Sequence, residues 1–231
     1  MEGLKEIADR LERSISQKEN ITQEPSQAHP VECGKCGDLS YVVRDGKASE
    51  CECVLERRVV ARLPQRYRRA SLIDFPKTTQ ELALLWLECP GDGLFIVGPA
   101  GTGKTYFAAA IVRTLLLIRQ EVFFRRCADL YAALRESYRV GTSEDSVMRD
   151  YVNSPHVVLD DLCSGGLSDH ERRSTLEVFD QRINKSLPTI VTSNWELEQI
   201  EQRMDERIAS RLSSFRLFPM DGPDRRIPVI A

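Results

Sequence analysis

The stretch that decides the fold is "GLFIVGPAGTGKT", residues 93–105. An apolar run typical of a buried strand leads into a turn that fits G-x-x-x-x-G-K-[ST] at every fixed position. Such a turn points backbone N–H groups at phosphate oxygens, and the following helix adds partial positive charge. Lys104 is expected to reach the β- and γ-phosphates, and Thr105 to ligand Mg²⁺. The predicted nucleotide-binding residues here are Gly98, Pro99, Ala100, Gly101, Thr102, Gly103, Lys104, Thr105 and Tyr106.

Strands and helices alternate on the C-terminal side of this motif. Four further apolar segments are predicted as strands: 121–127, 156–162, 188–194 and 215–220. Helical patterns lie between them, including two around 128–139 and 144–152. Alternating strands and helices favour an α/β fold in which a parallel sheet is covered by helices on both faces.

Acidic and amide side chains are predicted at the ends of two of these strands. "HVVLDDL" delivers Asp160 and Asp161, which suits a Walker B site. Asp160 would then hold the Mg²⁺ shell, while Asp161 would orient or deprotonate the attacking water. The alternative is that the two carboxylates cap the next helix. Asn194, at the end of "PTIVTSN", could position the water and the γ-phosphate.

Two arginines share one face of the helix in "DERIASRLSSF", residues 205–215. The guanidinium of Arg211, or alternatively that of Arg207, could neutralise charge on a phosphoryl group in a neighbouring subunit's site. The alternative is a surface salt bridge with Asp205 or Glu206.

Four of the seven cysteines fall in "CGKCGDLSYVVRDGKASECEC", residues 33–53. Their spacing, C-x₂-C followed by C-x-C, predicts a structural zinc site closed by a hairpin. The predicted ligands are Cys33, Cys36, Cys51 and Cys53. A redox pair, a disulfide or unliganded thiols are the alternatives, and His29 could replace one cysteine. Cys89, Cys127 and Cys163 are interpreted as core or surface thiols.

The composition predicts a protein of the cytoplasm. Hydrophobic residues make up 42%, enough for a core, but no apolar run approaches the ~20 residues that cross a bilayer. The N-terminal residues lack the pattern of a signal peptide. Residues 3–18 are predicted to form a helix with one apolar stripe, which either packs on a partner or folds back on the chain. The stripe consists of Leu4, Ile7, Leu11 and Ile15.

The charge is balanced overall but uneven along the chain. The net charge is −3 at pH 7, yet arginines cluster in two places, which are either solvated faces or phosphate-contacting surfaces. The first cluster comprises Arg57, Arg58, Arg62, Arg66, Arg68 and Arg69, and the second Arg125 and Arg126. The predicted domain organisation is an N-terminal module over residues 1–62 and an ATPase domain over 63–231.

The motifs "GPAGTGKT", "VVLDDL", "TIVTSN" and "RIASRL", with the lead-in "LPQRYRRASLIDF", resemble those of the DnaC/DnaI helicase-loader and IstB-like group of AAA+ ATPases. The resemblance implies a five-stranded sheet in the order 5-1-4-3-2, ATP-dependent self-association, single-stranded DNA binding and delivery of a hexameric replicative helicase. It makes Arg211 the trans-acting arginine, and has residues 67–75 border adenine, with Phe75 as a binding residue. The helices between 128 and 152 would contact DNA. A transposition helper with a transposase partner is the alternative.

Two departures from the AAA+ pattern carry expectations of their own. The second Walker B acid is Asp161 rather than glutamate, which places the base about one methylene back and suggests slow turnover. Only 19 residues follow Leu212, too few for a helical lid, so Arg225 and Arg226 are not expected to sense nucleotide. Two functions of other classes are further alternatives: a small-molecule kinase, and a non-enzymatic zinc module that binds nucleic acid.

Overall fold

A computed structural model of the chain describes residues 33–37, 39–44, 47–162 and 167–224. The predicted helix over 3–18, His29, Cys163, Arg225 and Arg226 lie outside these residues. In the part of the chain that is described, no helix combines the length and the apolar character needed to cross a membrane.

The described elements begin with a hairpin and continue as alternating helices and strands. The hairpin strands are β1 (Tyr41–Arg44) and β2 (Lys47–Glu50), which pair antiparallel. The other strands are β3 (Gly93–Val97), β4 (Val122–Arg126), β5 (His156–Leu162), β6 (Thr189–Ser193) and β7 (Arg216–Pro219). The helices are α1 (Glu52–Arg62), α2 (Lys77–Glu88), α3 (Lys104–Leu117), α4 (Cys127–Val140), α5 (Glu144–Asn153), α6 (Asp169–Asn184), α7 (Leu197–Arg203) and α8 (Glu206–Leu212).

The five later strands form one parallel sheet in the order β4-β5-β6-β3-β7. When β3 to β7 are counted as the first to fifth strands and the sheet is read from β7, the order is 5-1-4-3-2, as predicted. The predicted fold is therefore confirmed. Every residue of β3 and β6 is buried, as expected for central strands that are covered on both faces.

Alternate side chains of the central strands enter two separate apolar cores. Leu94 and Ile96 of β3 pack with α1, α2 and α3 on one face, and Phe95 and Val97 pack with α4 to α8 on the other. This period of two follows from the pleat of a strand. The two cores fix the carboxyl ends of the strands in one row, where the predicted site residues lie.

Helix α1 connects the cysteine hairpin to the first of these cores. Its N-cap is Cys51, while Val59 and the following Leu63 are buried in the core that contains α3. Arg113 of α3 donates to Glu56 Oε1 of α1 at 3.4 Å. The predicted boundary between residues 62 and 63 thus falls at the end of a helix that packs on the core of the five-stranded sheet, and it stays a prediction.

After β7 the chain crosses back over the loop between β3 and α3, residues 98–103, which is the predicted nucleotide-binding loop and is called the nucleotide loop below. Met220 donates its N–H to Val97 O at 2.7 Å, and the described chain continues to Asp224 without a further helix. Gly98 has φ +151, and a Cβ there would lie 2.0 Å from Met220 O. Only glycine therefore allows the two segments to approach this closely.

Candidate functional site

A cleft of about 710 Å³ opens at the carboxyl ends of β3, β5 and β6. This volume is within the range of small-molecule sites. Nine of its lining residues were predicted to bind nucleotide or to act on it. The lining residues are Arg66, Tyr67, Asp74, Ala100, Gly101, Gly103, Lys104, Thr105, Tyr106, Arg126, Asp160, Asp161, Thr192 and Asn194.

The loop between β3 and α3 has the backbone geometry of a phosphate cradle. Gly101 and Gly103 have φ of +85° and +100°, in the left-handed region that favours glycine. The Lys104 Nζ lies above this loop, where it donates to Gly98 O and Pro99 O at 2.7 Å each. The N-terminus of α3 directly follows Gly103, so its helix dipole faces the cleft.

Asp160 joins the nucleotide loop to the neighbouring strand. Its Oδ1 accepts from Thr105 Oγ1 at 2.8 Å and from Thr192 Oγ1 at 2.7 Å. Burial raises the pKa of the Asp160 carboxyl, although both hydroxyl donors act in the opposite direction. A hydroxyl and a carboxylate oxygen at this distance are ligands that Mg²⁺ accepts, so the residues fit the predicted metal position.

Asp161 is held in a strained backbone conformation. Its φ is +59°, and the pairing of β5 with β6 shifts register between Leu159 and Leu162. Its N–H donates to Thr192 Oγ1 at 2.9 Å. A bulge with a left-handed non-glycine residue is typical of a functional position, because the bulge re-aims the side chain. Here it directs consecutive carboxylates to the cleft.

Asn194 is exposed directly after β6 and lines the cleft. The two arginines that were predicted to act in a neighbouring subunit's site lie outside this cleft. Arg211 Nε donates to Asp180 Oδ1 of α6, and Arg207 pairs with Asp205 at 3.2 Å. Neither is among the described residues that line the cleft, so a role for Arg211 in a neighbouring subunit's site stays a prediction.

The segment predicted to border adenine contributes only some of its side chains to the cleft. Tyr67 and Asp74 line it, whereas Phe75 is 5% exposed and packs in the core, with its ring centroid 4.9 Å from that of Phe107. Tyr106 OH donates to Asp74 Oδ2 at 2.8 Å. Burial and this carboxylate raise the pKa of Tyr106 to about 12, so its hydroxyl stays protonated.

Thr192 and Arg126 line the cleft although the sequence did not assign either of them to the nucleotide site. Thr192 is 1% exposed, and its hydroxyl donates to Asp160 Oδ1 and accepts from the N–H of Asp161. A buried threonine in the apolar run "TIVTS" was the available signal. Arg126 lines the cleft from the end of β4, where Asp129 holds its guanidinium at 2.6 Å and 3.2 Å. Its signal was an arginine at the end of a predicted strand.

The four predicted zinc ligands converge in the second candidate site. Their Sγ atoms all lie within 4.8 Å of one another; Cys33 and Cys51 are 3.7 Å apart, and Cys36 and Cys53 are 3.5 Å apart. Tetrahedral zinc with Zn–S near 2.3 Å requires S···S distances of about 3.8 Å. The cluster is therefore compatible with zinc.

The first pair of cysteines lies in a tight turn. Gly37, with φ +52°, donates its N–H to Cys33 O at 2.8 Å. The backbone N–H groups of Lys35 and Cys36 lower the pKa of the Cys33 thiol to about 7, which favours the thiolate that a metal binds. Of the other cysteines, Cys89 is exposed and Cys127 is buried, as the sequence reasoning expected for surface and core thiols.

Comparison with known proteins agrees with this architecture. The profile of the family described as IstB-like ATP binding protein matches residues 58–213. The replicative helicase loader DnaC of Escherichia coli K12 is 31% identical over 116 residues, covering 50% of this chain and 47% of its own. This chain thus spans about half the length of that relative.

Two further similarities extend over more of the chain. An ATP-binding protein in an insertion sequence of Mycobacterium tuberculosis is 27% identical over 174 residues, which covers 68% of each chain. A crystal structure of the DnaC helicase loader superposes with a TM-score of 0.61 at 24% identity, and it covers 68% of this chain and all of that one. At this identity the structural likeness supports the fold.

Proposed function

The chain belongs to the IstB-like ATP-binding family of AAA+ ATPases, and we propose that it is an ATP-switched loader that delivers a hexameric replicative DNA helicase to single-stranded DNA. One observation carries the switch: the hydroxyl of Thr105 and the carboxylate of Asp160 meet at 2.8 Å on the floor of the cleft. The loader assignment is supported by the similarity to DnaC.

The cleft residues divide the chemistry of ATP hydrolysis among them. The N–H groups of the nucleotide loop and Lys104 bind the phosphates, and Thr105 with Asp160 would hold Mg²⁺, which neutralises phosphate charge when bound. Asp161 accepts the proton of the attacking water, and Asn194 orients that water. The strained backbone of Asp161 fixes the direction of its carboxylate relative to Asp160.

Arg211 acts in this proposal on the nucleotide of a neighbouring subunit. Its side chain is 40% exposed and is paired with Asp180, whose side chain is 38% exposed. An ion pair at the surface is worth little, so a phosphate from an adjoining protomer can replace Asp180 as partner. Hydrolysis is then coupled to self-association, and slow turnover suits a switch.

The four-cysteine module serves as the grip on the helicase in this proposal. Four thiolates would hold zinc as a structural ion with no open position for substrate, so it supplies order and no catalysis. The hairpin presents Tyr41 and Val43, which are 49% and 61% exposed, to solvent. Because α1 packs against α3, the module is attached to the helix that begins at the nucleotide loop.

An assay of helicase transfer tests the proposal. The chain, hexameric replicative helicase from the same cell and a 5′-labelled oligothymidylate are mixed with ATP or without nucleotide. We expect the helicase to reach the DNA only with the chain and ATP. Asp161→Asn should lower ATP turnover on the order of 10²–10⁴-fold while nucleotide still binds, and so trap the complex of all three. Asp169→Asn, an exposed acid on α6, is the matched control. Absence of helicase binding in every nucleotide state would overturn the loader assignment.

A transposition helper with a transposase partner is the second candidate. It is favoured by the insertion-sequence relative, whose alignment covers 68% of this chain against 50% for DnaC. The same nucleotide chemistry applies, so only the partner differs. Binding assays with immobilised transposase and helicase in parallel distinguish the two: ATP-dependent retention on transposase alone would replace the loader assignment.

A further inference from the structure

A second cavity, of about 310 Å³, lies beside β4 at the edge of the sheet. One wall is the end of α1 with Leu63 and Pro64, and the other is the end of β4 with the first turn of α4. The cavity brings together the two arginine clusters that the sequence left unexplained. Arg62 comes from the first cluster, and Arg125 and Arg126 come from the second.

The charges in this cavity are unequal. Three guanidinium groups line it together with one carboxylate, that of Asp129. Asp129 is bound to Arg126 by two hydrogen bonds, at 2.6 Å and 3.2 Å, and the guanidinium holds the pKa of that carboxyl below its ordinary value. Asp129 therefore stays ionised and fixes one arginine, and no other carboxylate stands among the described residues that line the cavity.

Arg125 is oriented without being neutralised. Its Nη1 donates to Phe124 O at 2.8 Å, and its Cζ lies 4.4 Å from the centroid of the Phe123 ring. It forms no ion pair with any residue that the structure describes. A guanidinium held in place by a carbonyl and an aromatic ring keeps its remaining N–H groups available for an acceptor. Because the side chain is already ordered, binding of an acceptor costs less conformational entropy.

Arg62 is held only by an exposed partner. It donates to Glu121 at 2.8 Å, and the two side chains are 41% and 64% exposed. Exposed ion pairs contribute little, so a stronger acceptor in the cavity can replace Glu121. The first turn of α4, a helix of 14 residues, adds its partial positive charge to the same wall.

We propose that this cavity is a phosphate-binding subsite separate from the nucleotide cleft, with Arg62 and Arg125 as its principal ligands. Phosphate suits it because the tetrahedral group has enough oxygens to accept from several guanidinium forks at once. The source is either a backbone phosphate of single-stranded DNA, in which case the subsite rests on the proposed function, or a free phosphate group. Arg126 lines both cavities and so links this subsite to the nucleotide cleft.

Binding of a labelled oligothymidylate, measured by fluorescence anisotropy between 50 and 200 mM salt, tests the first source. We expect Arg62→Gln and Arg125→Gln each to weaken binding roughly tenfold. Each should also reduce the slope of log K against log[salt] by about 0.7. Arg126 is left unchanged because it also lines the nucleotide cleft. The matched control is Arg119→Gln, since Arg119 also forms an exposed pair, with Glu50 at 3.4 Å, and lines neither cavity.

Inorganic phosphate, followed by ³¹P line broadening on the full chain with the nucleotide cleft filled by ADP, tests the second source. Loss of broadening in both variants, with oligonucleotide binding unchanged, would assign the subsite to free phosphate. If both variants match Arg119→Gln with both probes, the subsite is overturned. A parent chain that fails to bind oligothymidylate, with phosphate broadening that is lost in Arg62→Gln and Arg125→Gln, would contradict the proposed loader and leave the subsite standing, so the two failures are distinguishable.

Discussion

The four-cysteine module, residues 33–53, and the five-stranded sheet differ in what keeps them folded. In the sheet, every side chain of β3 and β6 is buried between two apolar cores. In the module, all four residues of β2 are exposed, and the buried residues among those described are Cys36 and Cys51. The module therefore has no apolar core of its own in the described residues. A metal held by the four thiols would supply its order, whereas the order of the sheet comes from hydrophobic burial.

Removal of metal is the change that separates the two regions most. Cys33→Ser/Cys36→Ser should lose about one equivalent of zinc, and the apparent binding energy of such sites is on the order of 10–16 kcal/mol. Hydrogen–deuterium exchange should then rise throughout residues 33–53 while the amides of β3 and β6 stay protected. Zinc quantification and exchange on the full chain measure both.

Cys89→Ser is the matched control for this experiment. Cys89 is exposed and lies outside the cluster, so zinc content and exchange should be unchanged. If the double variant keeps its zinc, the four thiols are not the ligands. If the sheet amides lose protection together with the module, the two regions do not differ in the way described.

Within the sheet region, the buried guanidinium of Arg182 connects elements through hydrogen bonds rather than through apolar contacts. Arg182 of α6 is fully buried, and burial lowers its pKa to about 10. It donates to Thr189 Oγ1 at 2.7 Å and to three carbonyl oxygens, those of Tyr151, Ser154 and Pro188, at 2.8–3.0 Å. The guanidinium thus joins α5 and α6 to the start of β6.

Arg182→Met should lower the free energy of unfolding by about 3 kcal/mol or more, because several buried acceptors lose their donor at once. Urea denaturation of the zinc-loaded chain measures it. Arg173→Met is the comparison variant on the same helix: Arg173 is exposed, and its guanidinium donates to Asp169 O at 3.3 Å, so a change within about 0.5 kcal/mol is expected. Equal effects of the two variants would contradict a structural role for Arg182.

The sheet was predictable because each of its strands is an apolar run between helical patterns, and the nucleotide loop because its spacing is specific. The cysteine cluster was equally readable, since the spacing itself carries the ligand geometry. Arg182 and Thr192 were not predicted, because a polar residue in a buried element acquires its role from partners 31 or 32 positions away. Phe75 shows the reverse: it lies in the expected segment, yet its ring packs in the core. A segment assignment cannot decide which side chains turn inward.

Helix α1 contacts both regions, and substitution of Val59 tests whether the helix is stabilised by the sheet or by the four-cysteine module. Val59 is fully buried against the ATPase core, whereas the adjacent Val60 is 49% exposed. Val59→Ala should cost about 1.6 kcal/mol, at ~0.8 kcal/mol for each buried carbon removed, and Val60→Ala less than about 0.5 kcal/mol. Urea denaturation with and without zinc gives the coupling. Equal costs of Val59→Ala in both states would place α1 with the sheet; a cost that disappears without zinc would place it with the module.

The smallest expected effect concerns Asp160. Its substitution is expected to maintain or raise the stability of the fold, whereas the substitutions above lower it. Burial raises the pKa of this carboxyl above that of the unfolded chain, so the folded state binds more protons than the unfolded state between those two values. Stability contributed by the protonated form is therefore lost as pH rises through that interval, and ionised Asp160 costs stability at neutral pH. Its two hydroxyl donors, Thr105 and Thr192, offset only part of that cost.

Asp160→Asn keeps an oxygen that accepts from both hydroxyls but removes the charge. Without nucleotide, the variant should be as stable as the parent or more stable at pH 7, and this part of its pH dependence should disappear; thermal unfolding between pH 4 and 8 measures both. Mg²⁺-dependent binding of ATP should be weakened in the same protein, because a neutral amide is a poorer ligand for the ion. Lower stability at pH 7 would contradict this account. A gain in stability with a loss of binding would show that one carboxylate in the apolar sheet is retained for the nucleotide, at a cost to the fold.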